Sequence, residues 1–436
     1  MKISRRRFLQ SAAAVSATSA SVLPNIALAS SGISDYKALV VVFLYGGNDA
    51  YNMIVPTSPD AYQSYLSARP ALGLTQSEIL PLSLHSENQI SLGIHSAMSD
   101  LLPLFESGQA SVLLNTGQLL TPATRSTIAA GLSPLPEFLM AHNMQQDMWQ
   151  TGATNYNNSL GWAGRMMDML ASNTSISPLI SLNSQKRFNS AKNLSQTVIS
   201  SQGVGQYSSW HDSVRLDEYF AHFKADYDNV YTQHFANTMK KSVSENTELK
   251  NVLDAHPSSI VYPDSKLATQ LQMVARMISA RQSLGHQRQV FFVGIGGFDT
   301  HFNQKPTHHA LLQQLAQALA LFQQDLEQQG VTQNVTTVTM SDFGRRVMAN
   351  ESGTDHGWAG HQLILGGAIK GQKAYGTWPD LTPGSENDYN NGRMIPTIAA
   401  DQVHATLCRW FGLSDQQILE LFPNLINFKS PYIDCL

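Results

Sequence analysis

Residues 289–303 read QVFFVGIGGFDTHFN, and residues 336–345 read TTVTMSDFGR. Each stretch is an apolar run typical of a buried β-strand, and each ends in a small residue and an acid, Asp299 in the first and Asp342 in the second. The segment between them has a helical pattern, so the chain here predicts a strand–helix–strand unit. In open sheets built from such units, the ligand site lies beyond the carboxyl ends of the strands. We therefore expect both acids in one crevice.

A third polar group lies in residues 353–371, GTDHGWAGHQLILGGAIKG. It contains Asp355, His356 and His361 and leads into another apolar run. Earlier in the chain, His301 follows Asp299 by two residues, so in an extended segment both side chains project to the same side and can share one ion. Carboxylate and neutral imidazole ligands suit zinc, manganese or iron better than calcium, which prefers oxygen ligands. The spacing of Asp355, His356 and His361 predicts ligands on loops rather than a helical H-E-x-x-H site.

The apolar run of residues 38–45, ALVVVFLY, is followed by two glycines, an asparagine and Asp49. This run predicts a central strand covered on both faces. Asp49 either caps the next turn or binds a metal ion, and the later ligands favour the metal role. The spacing G-x-G-x-x-G is absent, which argues against nicotinamide or flavin binding. With Asp49 and Asp342 there are enough donors for two ions, which can clamp the attacking and leaving oxygens of a displacement at phosphorus or sulfur.

Three further side chains are candidates for a direct catalytic role. Thr116 follows an apolar run, and a hydroxyl at a strand end is either a nucleophile or an ordinary turn residue. His142 lies in an amphipathic pattern that predicts a helix over residues 136–152, and it is either packed or catalytic. Arg345 follows Asp342 by three residues and either pairs with that carboxylate or binds an anionic substrate.

Two long helices are predicted over residues 266–284 and 308–328 from apolar residues at helical spacing. His308 and His309, near the start of the second helix, are expected to be exposed. Residues 184–263 have a different composition, rich in serine, asparagine and glutamine, with aromatic residues at helical spacing. We interpret this stretch as a helical cap insertion that shapes access to the crevice.

Residues 1–29 have the features of a signal peptide. The sequence SRRRFL at residues 4–9 fits the twin-arginine pattern, an apolar run follows, and residues 27–29, ALA, form a small-x-small cleavage site. We therefore expect export by the twin-arginine route to the bacterial periplasm or outer envelope. About 400 residues then remain, and residues 30–436 are predicted to form one α/β domain.

The composition narrows the range of partners. The formal net charge is -4 and no long run of one sign occurs, which argues against nucleic acid. No later apolar run reaches membrane-spanning length. Cys408 and Cys435 are the only cysteines, too few for a disulfide framework, and the sequence leaves open whether they pair. The partners we expect are a small anionic ester and, as an alternative, another protein of the cell envelope.

Six motifs occur in order along the chain: GGNDAYNMIVP (46–56), GGFDTH (296–301), SDFGR (341–345), TDHGWAGHQLILGGAIKG (354–371), YGTWP (375–379) and GRMIPT (392–397). Together they resemble the exported bacterial family called domain of unknown function 1501, which is similar to the alkaline phosphatase and sulfatase superfamily. The resemblance implies a doubly wound, mostly parallel sheet flanked by helices and a metal-dependent hydrolase ancestry. It also implies a crevice that contains Asp49, Asp299, His301, Asp342, His356 and His361.

One departure from the superfamily pattern affects the metal ligands. The strand ending usually reads Ser-Asp, then His or Asn, then Gly, but here Phe343 stands at the third place and cannot bind a metal. The adjacent pair Asp355 and His356 is a candidate replacement for the missing donor.

A second departure affects the nucleophile. Relatives commonly have Ser-His-Phe where this chain has Ala141, His142 and Asn143. If that serine is the nucleophile, this chain lacks it. Hydrolysis would then depend on Thr116, on Ser126 or on a water molecule activated by the metal, or it would not occur.

Two functions therefore stay open. The first is an exported hydrolase of phosphate or sulfate esters that uses one or two divalent ions, zinc or manganese, held by Asp49, Asp299, His301, Asp342, Asp355, His356 and His361. The second is a degenerate, non-catalytic member of the same fold that serves as an envelope binding or assembly module. The ligand residues favour the first function, and Ala141 favours the second.

Overall fold

The computed structural model describes residues 35–153, 157–170, 174–205 and 213–436. The predicted signal peptide, residues 1–29, lies outside the described residues. Residues Lys37–Leu436 form one structural unit. The strands of the described residues are β1 (Lys37–Tyr45), β2 (Ile54–Pro56), β3 (Ile79–His85), β4 (Ser91–His95), β5 (Ala110–Gly117), β6 (Leu179–Leu182), β7 (Thr197–Ile199), β8 (Arg288–Gly296), β9 (Val335–Ser341), β10 (Arg345–Asn350), β11 (Gly353–His356), β12 (Gly360–Leu365), β13 (Ala374–Tyr375) and β14 (Ile398–Ala399).

The α-helices of the described residues vary from one turn to seven turns in length. They are α1 (Ala50–Met53), α2 (Pro59–Ala68), α3 (Leu102–Glu106), α4 (Arg125–Ala129), α5 (His142–Thr151), α6 (Trp162–Leu170), α7 (Ser213–His222), α8 (Val230–Asp254), α9 (Lys266–Ser279), α10 (Gln304–Gln328), α11 (Ala400–Phe411) and α12 (Asp415–Leu421). None of these described helices has both the length and the hydrophobicity needed to cross a membrane.

Within the described residues, nine strands form the central sheet, in the order β13-β5-β12-β9-β1-β8-β6-β7, with β14 beside β5. The pairs are parallel except that β12 runs antiparallel to both of its neighbours. β1 lies between β9 and β8, so the predicted unit β8–α10–β9 crosses over it. Helices flank this sheet, since α9 packs against β8 and α11 packs against β1. The predicted α/β class, with a mostly parallel sheet flanked by helices, is confirmed.

β1 is the central element because its residues suit a strand covered on both faces. Its seven inner residues are fully buried. Leu39, Val41 and Phe43 join one hydrophobic core with residues of α6 and α11, and the alternate residues point to the opposite face. The parallel register pairs Tyr45 with Gly296 and Leu44 with Ser341, so the carboxyl ends of β1, β8 and β9 lie at one edge of the sheet.

Some element boundaries differ from the prediction. The helix predicted over residues 136–152 begins only at His142, because Phe138 (φ 51°) and Met140 (φ 68°) have a left-handed backbone that a right-handed helix excludes. The helix predicted over residues 308–328 begins four residues earlier, at Gln304.

Residues 184–263 are not entirely helical. In their described part, β7 joins the edge of the central sheet beside β6, and α7 and α8 follow. The interpretation of this stretch as a cap stays a prediction. Cys408 and Cys435 are both buried in the hydrophobic core as free thiols.

Candidate metal centre

Three side chains from distant parts of the chain converge at the carboxyl edge of the sheet. His142 begins α5, Asp299 follows β8, and His356 ends the β10–β11 hairpin. One ligand atom from each lies within 4.8 Å of the other two. Asp299 Oδ1 is 3.3 Å from His356 Nε2, and Asp299 Oδ2 is 3.5 Å from His142 Nε2. We call these three residues the ligand cluster.

The orientation of His142 is fixed by Asp342. His142 Nδ1 lies 2.7 Å from Asp342 Oδ2, and the Asp342 carboxylate is fully buried. Gln146 and Trp149, one and two turns further along α5, also donate to Asp342: the Gln146 amide to Oδ2 (2.8 Å) and the Trp149 indole to the main-chain oxygen (3.1 Å). A proton on His142 Nδ1 leaves a lone pair on Nε2. That Nε2 is buried and has no hydrogen-bond partner among the described residues.

His356 is oriented in a similar way by the main chain. Its Nδ1 lies 2.8 Å from the carbonyl oxygen of Met140, so Nδ1 carries the proton and Nε2 is an acceptor. The left-handed backbone at Phe138 and Met140 belongs to the turn that presents this carbonyl. Burial lowers the pKa of His356, although the hydrogen bond to Met140 opposes the shift. His356 is therefore neutral at neutral pH, which is the form that binds metals.

Asp299 is kept ionised by Arg345. Burial acts to raise the pKa of Asp299, but the hydrogen bond and charge of Arg345, with His301 and His142, bring it below its ordinary value. Arg345 Nη1 donates to Asp299 Oδ1 (2.7 Å) and to the Gly46 carbonyl (3.2 Å). The rest of its guanidinium binds Thr354. Arg345 therefore pairs with Asp299 rather than with Asp342, and its fully buried side chain is committed to the protein.

The ligand cluster fits a divalent metal ion. Two ligands about 2.1 Å from a tetrahedral ion lie about 3.4 Å apart. The separations of 3.3 and 3.5 Å between Asp299 and the two histidines match this value. The partnerless Nε2 of His142 lies 3.5 Å from Asp299 Oδ2, and a cation held between these two atoms would satisfy both.

His301 and Asp355 lie at the rim of the ligand cluster. His301 Nε2 is 3.1 Å from Asp299 Oδ1 and 3.1 Å from His356 Nε2. Asp355 Oδ1 is 3.7 Å from His301 Nδ1, but the other bonds of this carboxylate go to Asn350 and Arg346. Phe343 packs its ring against His142 and His356 at centroid distances of 4.8 and 4.6 Å.

Asp49 belongs to a different network. Both of its oxygens bind the buried guanidinium of Arg69, at 2.8 and 2.5 Å, and Gln304 also donates to it. Both side chains of the ion pair are fully buried. Asp49 is therefore engaged by Arg69 and Gln304 rather than directed at the ligand cluster, and its metal role stays a prediction.

His361 is also separate from the ligand cluster. Its Nδ1 accepts a hydrogen bond from the main-chain N–H of Asn115 (3.0 Å), and its ring packs edge-on against Tyr51 and beside Trp378. Burial lowers its pKa to about 3. His361 is therefore neutral, and its Nε2, like that of His142, is buried without a hydrogen-bond partner among the described residues.

The candidate hydroxyl nucleophiles are engaged elsewhere. Thr116 is 1% exposed and its hydroxyl donates to the Gly360 carbonyl within the sheet (3.3 Å). Ser126 donates to Glu386 (2.7 Å). Neither contact involves the ligand cluster.

Some of the supporting residues could have been predicted from the sequence, and others could not. Gln146 and Trp149 could have been found from their spacing of four and seven residues from His142, which places all three on one helix face. The carbonyl of Met140 and the buried cation Arg69 had no such signal, because main-chain contacts and buried ion pairs leave no periodic pattern.

Solved structures of several enzymes and related proteins are similar to this chain at low identity. The lipoteichoic acid synthase LtaP from Listeria monocytogenes has 8% identity and a TM-score of 0.38, with 91% of this chain and 77% of that chain covered. A protein in the alkaline phosphatase superfamily from Vibrio parahaemolyticus has 10% identity and a TM-score of 0.39, covering 90% and 70%. The C-terminal periplasmic domain of EptC from Escherichia coli, in complex with Zn, has 9% identity and a TM-score of 0.38, covering 87% and 84%. Among proteins with curated descriptions, none matches this sequence.

A family model matches residues 36–422, which is almost the whole described chain. The resemblance inferred from the six motifs is thereby confirmed. The chain belongs to the family described as "Protein of unknown function (DUF1501)".

Proposed function

We propose that this chain is a metal-dependent hydrolase of phosphate or sulfate esters, with its centre at His142, Asp299 and His356. The observation that carries the proposal is the surroundings of His142. Its Nδ1 is held by the buried Asp342, and its buried Nε2 has no hydrogen-bond partner among the described residues while it lies 3.5 Å from Asp299. A carboxylate behind a histidine that directs its free nitrogen to other ligands is the usual support of a metal-binding histidine.

The donor set of two imidazoles and one carboxylate suits zinc or manganese. Three protein ligands leave a coordination position open, as in catalytic rather than structural sites. A bound ion of this kind polarises an ester oxygen and lowers the pKa of water. The sequence allowed two ions. The proposal needs only one ion, because the clustered side chains of the described residues, with His301 3.1 Å from Asp299 and His356, surround one site.

The protein residues keep the ligands in the protonation states that metal binding requires. Asp342 and the Met140 carbonyl hold protons on the Nδ1 atoms of His142 and His356, so that both Nε2 atoms present lone pairs. Arg345 keeps Asp299 ionised. Ligands that are already oriented lose less side-chain freedom when they bind a cation.

We assign the proton transfer to His301. Its Nε2 lies 3.1 Å from Asp299 Oδ1, and its side chain is 33% exposed, so it can reach both the centre and the entering substrate. In this position it can hold a proton for the leaving oxygen of an ester. Since the Thr116 and Ser126 hydroxyls are bound elsewhere, water is the proposed nucleophile.

Two partly exposed guanidinium groups lie beside the ligand cluster and suit an anionic ester. Arg346 Nη1 lies 3.2 Å from Asp355 at the rim, and Arg393 donates to the main-chain oxygen of His356 (3.2 Å). Both guanidinium groups are partly exposed and suit phosphate or sulfate oxygens.

Metal analysis of the purified mature protein tests the proposal. We expect one zinc or manganese ion per chain, loss of that ion in His142→Ala and His356→Ala, and retention in His234→Ala, which changes an exposed histidine on α8. The metal-loaded protein should hydrolyse at least one of three nitrophenyl esters, a phosphate, a phosphodiester or a sulfate. Equal metal content in His142→Ala and the unmodified protein would contradict the proposal.

A second function, a non-catalytic envelope module, is favoured by two observations. The family resemblance implies a serine at the position of Ala141, and the strand-end carboxylate of Asp49 is occupied by Arg69. A measurement of ester hydrolysis distinguishes the two functions. A fully metal-loaded protein that turns over none of the three esters would support the envelope module.

We further propose that the protein is exported by the twin-arginine route. Residues 4–9, SRRRFL, supply the twin arginines as Arg5 and Arg6. Replacing both with lysine should retain the precursor in the cytoplasm, whereas Arg7→Lys should not. Export that persists in the Arg5→Lys/Arg6→Lys variant would exclude this route.

A further inference from the structure

A polar cavity lies at the same edge of the sheet as the ligand cluster, beyond β6, β7 and β8. Its volume is about 510 Å³. Its lining includes Asn183 just after β6, Ser201 just after β7, Gly294 of β8 and the start of α9. The carboxyl ends of parallel strands and the N-terminus of a helix are where α/β proteins bind ligands.

The start of α9 is held firmly against the sheet. The Gln270 side chain donates to the Gly294 carbonyl (2.9 Å) and accepts from the Gly294 N–H (3.2 Å). Ser265 caps the helix by accepting from the Ala268 N–H, and the first turn contains no acidic residue. The N–H groups of this turn therefore give the cavity a positive partial charge.

Two lysines line the cavity, Lys186 and Lys266. Lys186 is half-buried, and burial alone lowers its pKa. Its Nζ lies 5.3 Å from the centre of the Tyr45 ring, and no carboxylate forms an ion pair with it in the described part of the chain. Asp264 is the one carboxylate among the lining residues, and it is exposed. Lys266 is exposed like Asp264, so the half-buried Lys186 and the helix N-terminus give the cavity its excess of positive charge, which favours an anion.

The cavity is connected to the ligand cluster through Tyr45, the last residue of β1. Lys186 Nζ lies over the Tyr45 ring. Burial and the charge of Asp342 both raise the pKa of Tyr45. The next residue, Gly46, donates its N–H to Asp342 (3.2 Å) and accepts from Arg345. Lys186 of the cavity thus contacts the end of β1, and the residue that follows this strand end binds Asp342, the support of His142.

We propose that this cavity, the Lys186–Lys266 pocket, binds a sulfate or phosphate group. This inference rests on the proposed function. The substrate has one ester that is hydrolysed at the ligand cluster, and the pocket binds a second anionic group of the same molecule. The substrate class is therefore a molecule with at least two sulfate or phosphate groups.

Calorimetric titration with inorganic sulfate and inorganic phosphate tests the pocket directly. The titrations use the mature His142→Ala/His356→Ala protein, so that a metal at the ligand cluster does not contribute. We expect binding of at least one of the two anions. Lys186→Gln and Lys266→Gln should each weaken it about tenfold, and Lys186→Arg should preserve it.

Lys373→Gln is the matched control, because Lys373 also lies over a tyrosine ring, at 4.8 Å from Tyr375, but outside the pocket. Equal affinities in Lys186→Gln and Lys373→Gln, or no binding of either anion, would overturn the proposal. Thermal unfolding of each variant checks that it is folded.

Kinetics then test the substrate class. For an ester with a second sulfate or phosphate group, Lys186→Gln should raise KM about tenfold with little change in kcat, while a nitrophenyl ester without that group should be unaffected. An equal KM effect on both esters would contradict the assignment. Absence of any hydrolysis would refute the proposed function, while the anion titration would still decide whether the pocket binds.

Discussion

The two nitrogens of His142 have opposite surroundings, and this asymmetry determines the chemistry of the centre. Nδ1 is held by Asp342, which also accepts from Gln146 and from the N–H of Gly46. Nε2 has no such partner. Asp342 therefore acts through His142, as a positioning residue, and does not belong to the ligand cluster.

Replacing Asp342 with asparagine tests this role. An amide has only one acceptor oxygen, so it cannot accept from Gly46, His142 and Gln146 together. We expect metal affinity to fall about 10- to 100-fold, measured by competition with a coloured chelator. Asp147→Asn is the control, because Asp147 lies on the same helix but pairs with Arg187 (2.8 Å). Unchanged affinity in Asp342→Asn would contradict the role.

Arg69 and Asp49 form a fully buried ion pair, so removal of one partner leaves a buried charge. We expect Arg69→Met to lower the free energy of unfolding by about 3–5 kcal/mol in urea titrations. The folded protein should keep its metal, because Asp49 is not in the ligand cluster. Arg409→Met is the control, since its pair with Asp415 is exposed and should contribute at most about 1 kcal/mol. A stability loss no larger than in this control would contradict the account.

For single residues, the sequence predicted the residue types of the site better than the role of each residue. Asp299 and His356 were predicted as ligands, and both lie in the ligand cluster. Asp49 also followed a strand, but nothing in the pattern showed that an arginine twenty residues later would be buried against it. His308 was expected to be exposed, and this prediction was wrong: α10 begins at Gln304, which places His308 in the second turn, where it is buried and bound to Asn48 (2.8 Å).

Among the elements, the turn after β1 supports the ligand cluster most directly. Gly46 has φ 116°, and a Cβ there would lie 2.4 Å from the main-chain nitrogen of Asp299. A side chain at this position therefore has to displace the loop that carries Asp299. The two glycines after β1 predict a sharp turn from the sequence. The sequence does not show that Gly46 lies against the main chain of Asp299.

Gly46→Ala should therefore lower the free energy of unfolding by more than about 2 kcal/mol and abolish metal binding, because it combines a left-handed backbone with a steric clash. Gly131→Ala is the matched control. Gly131 also has a positive φ, 70°, but open space around it, so a cost of about 1 kcal/mol and normal metal content are expected. The measurements are urea unfolding and metal analysis. Equal effects of the two substitutions would argue against the close contact.

For the whole molecule, the parallel sheet is what brings Asp299 and its supporting residue Asp342 to one edge. Asp299 follows β8 and Asp342 follows β9, and these strands end at one edge on either side of β1. This convergence was predictable, because apolar runs, glycines and the strand–helix–strand order mark parallel strands. The position of His142 could not be predicted, because it depends on the left-handed backbone at Phe138 and Met140. No pattern in the sequence indicates that conformation.

Buried histidines make the stability of the whole molecule depend on pH. Burial lowers the pKa of His361 to about 3 and those of His95 and His308 to about 4, from an ordinary value of 6.5. Below pH 6.5 the unfolded chain gains protons that the folded chain does not, so folding stability falls as pH decreases towards 4. We expect a loss of up to about 1.4 kcal/mol per pH unit for each histidine, measured by urea unfolding at pH 7, 6 and 5.

His361→Gln should make this pH dependence shallower, whereas His234→Gln, at an exposed position, should leave it unchanged. The same free energy of unfolding at pH 7 and pH 5 would show that these histidines are not buried in their neutral form.

The most direct test of the account is the position of the metal. Crystals of the mature protein loaded with zinc, measured on both sides of the zinc absorption edge, locate the ion without reference to activity. We predict one anomalous peak within about 2.3 Å of His142 Nε2, His356 Nε2 and an oxygen of Asp299. A peak at Asp49 and His361 instead, or no peak in the loaded crystals, would contradict it.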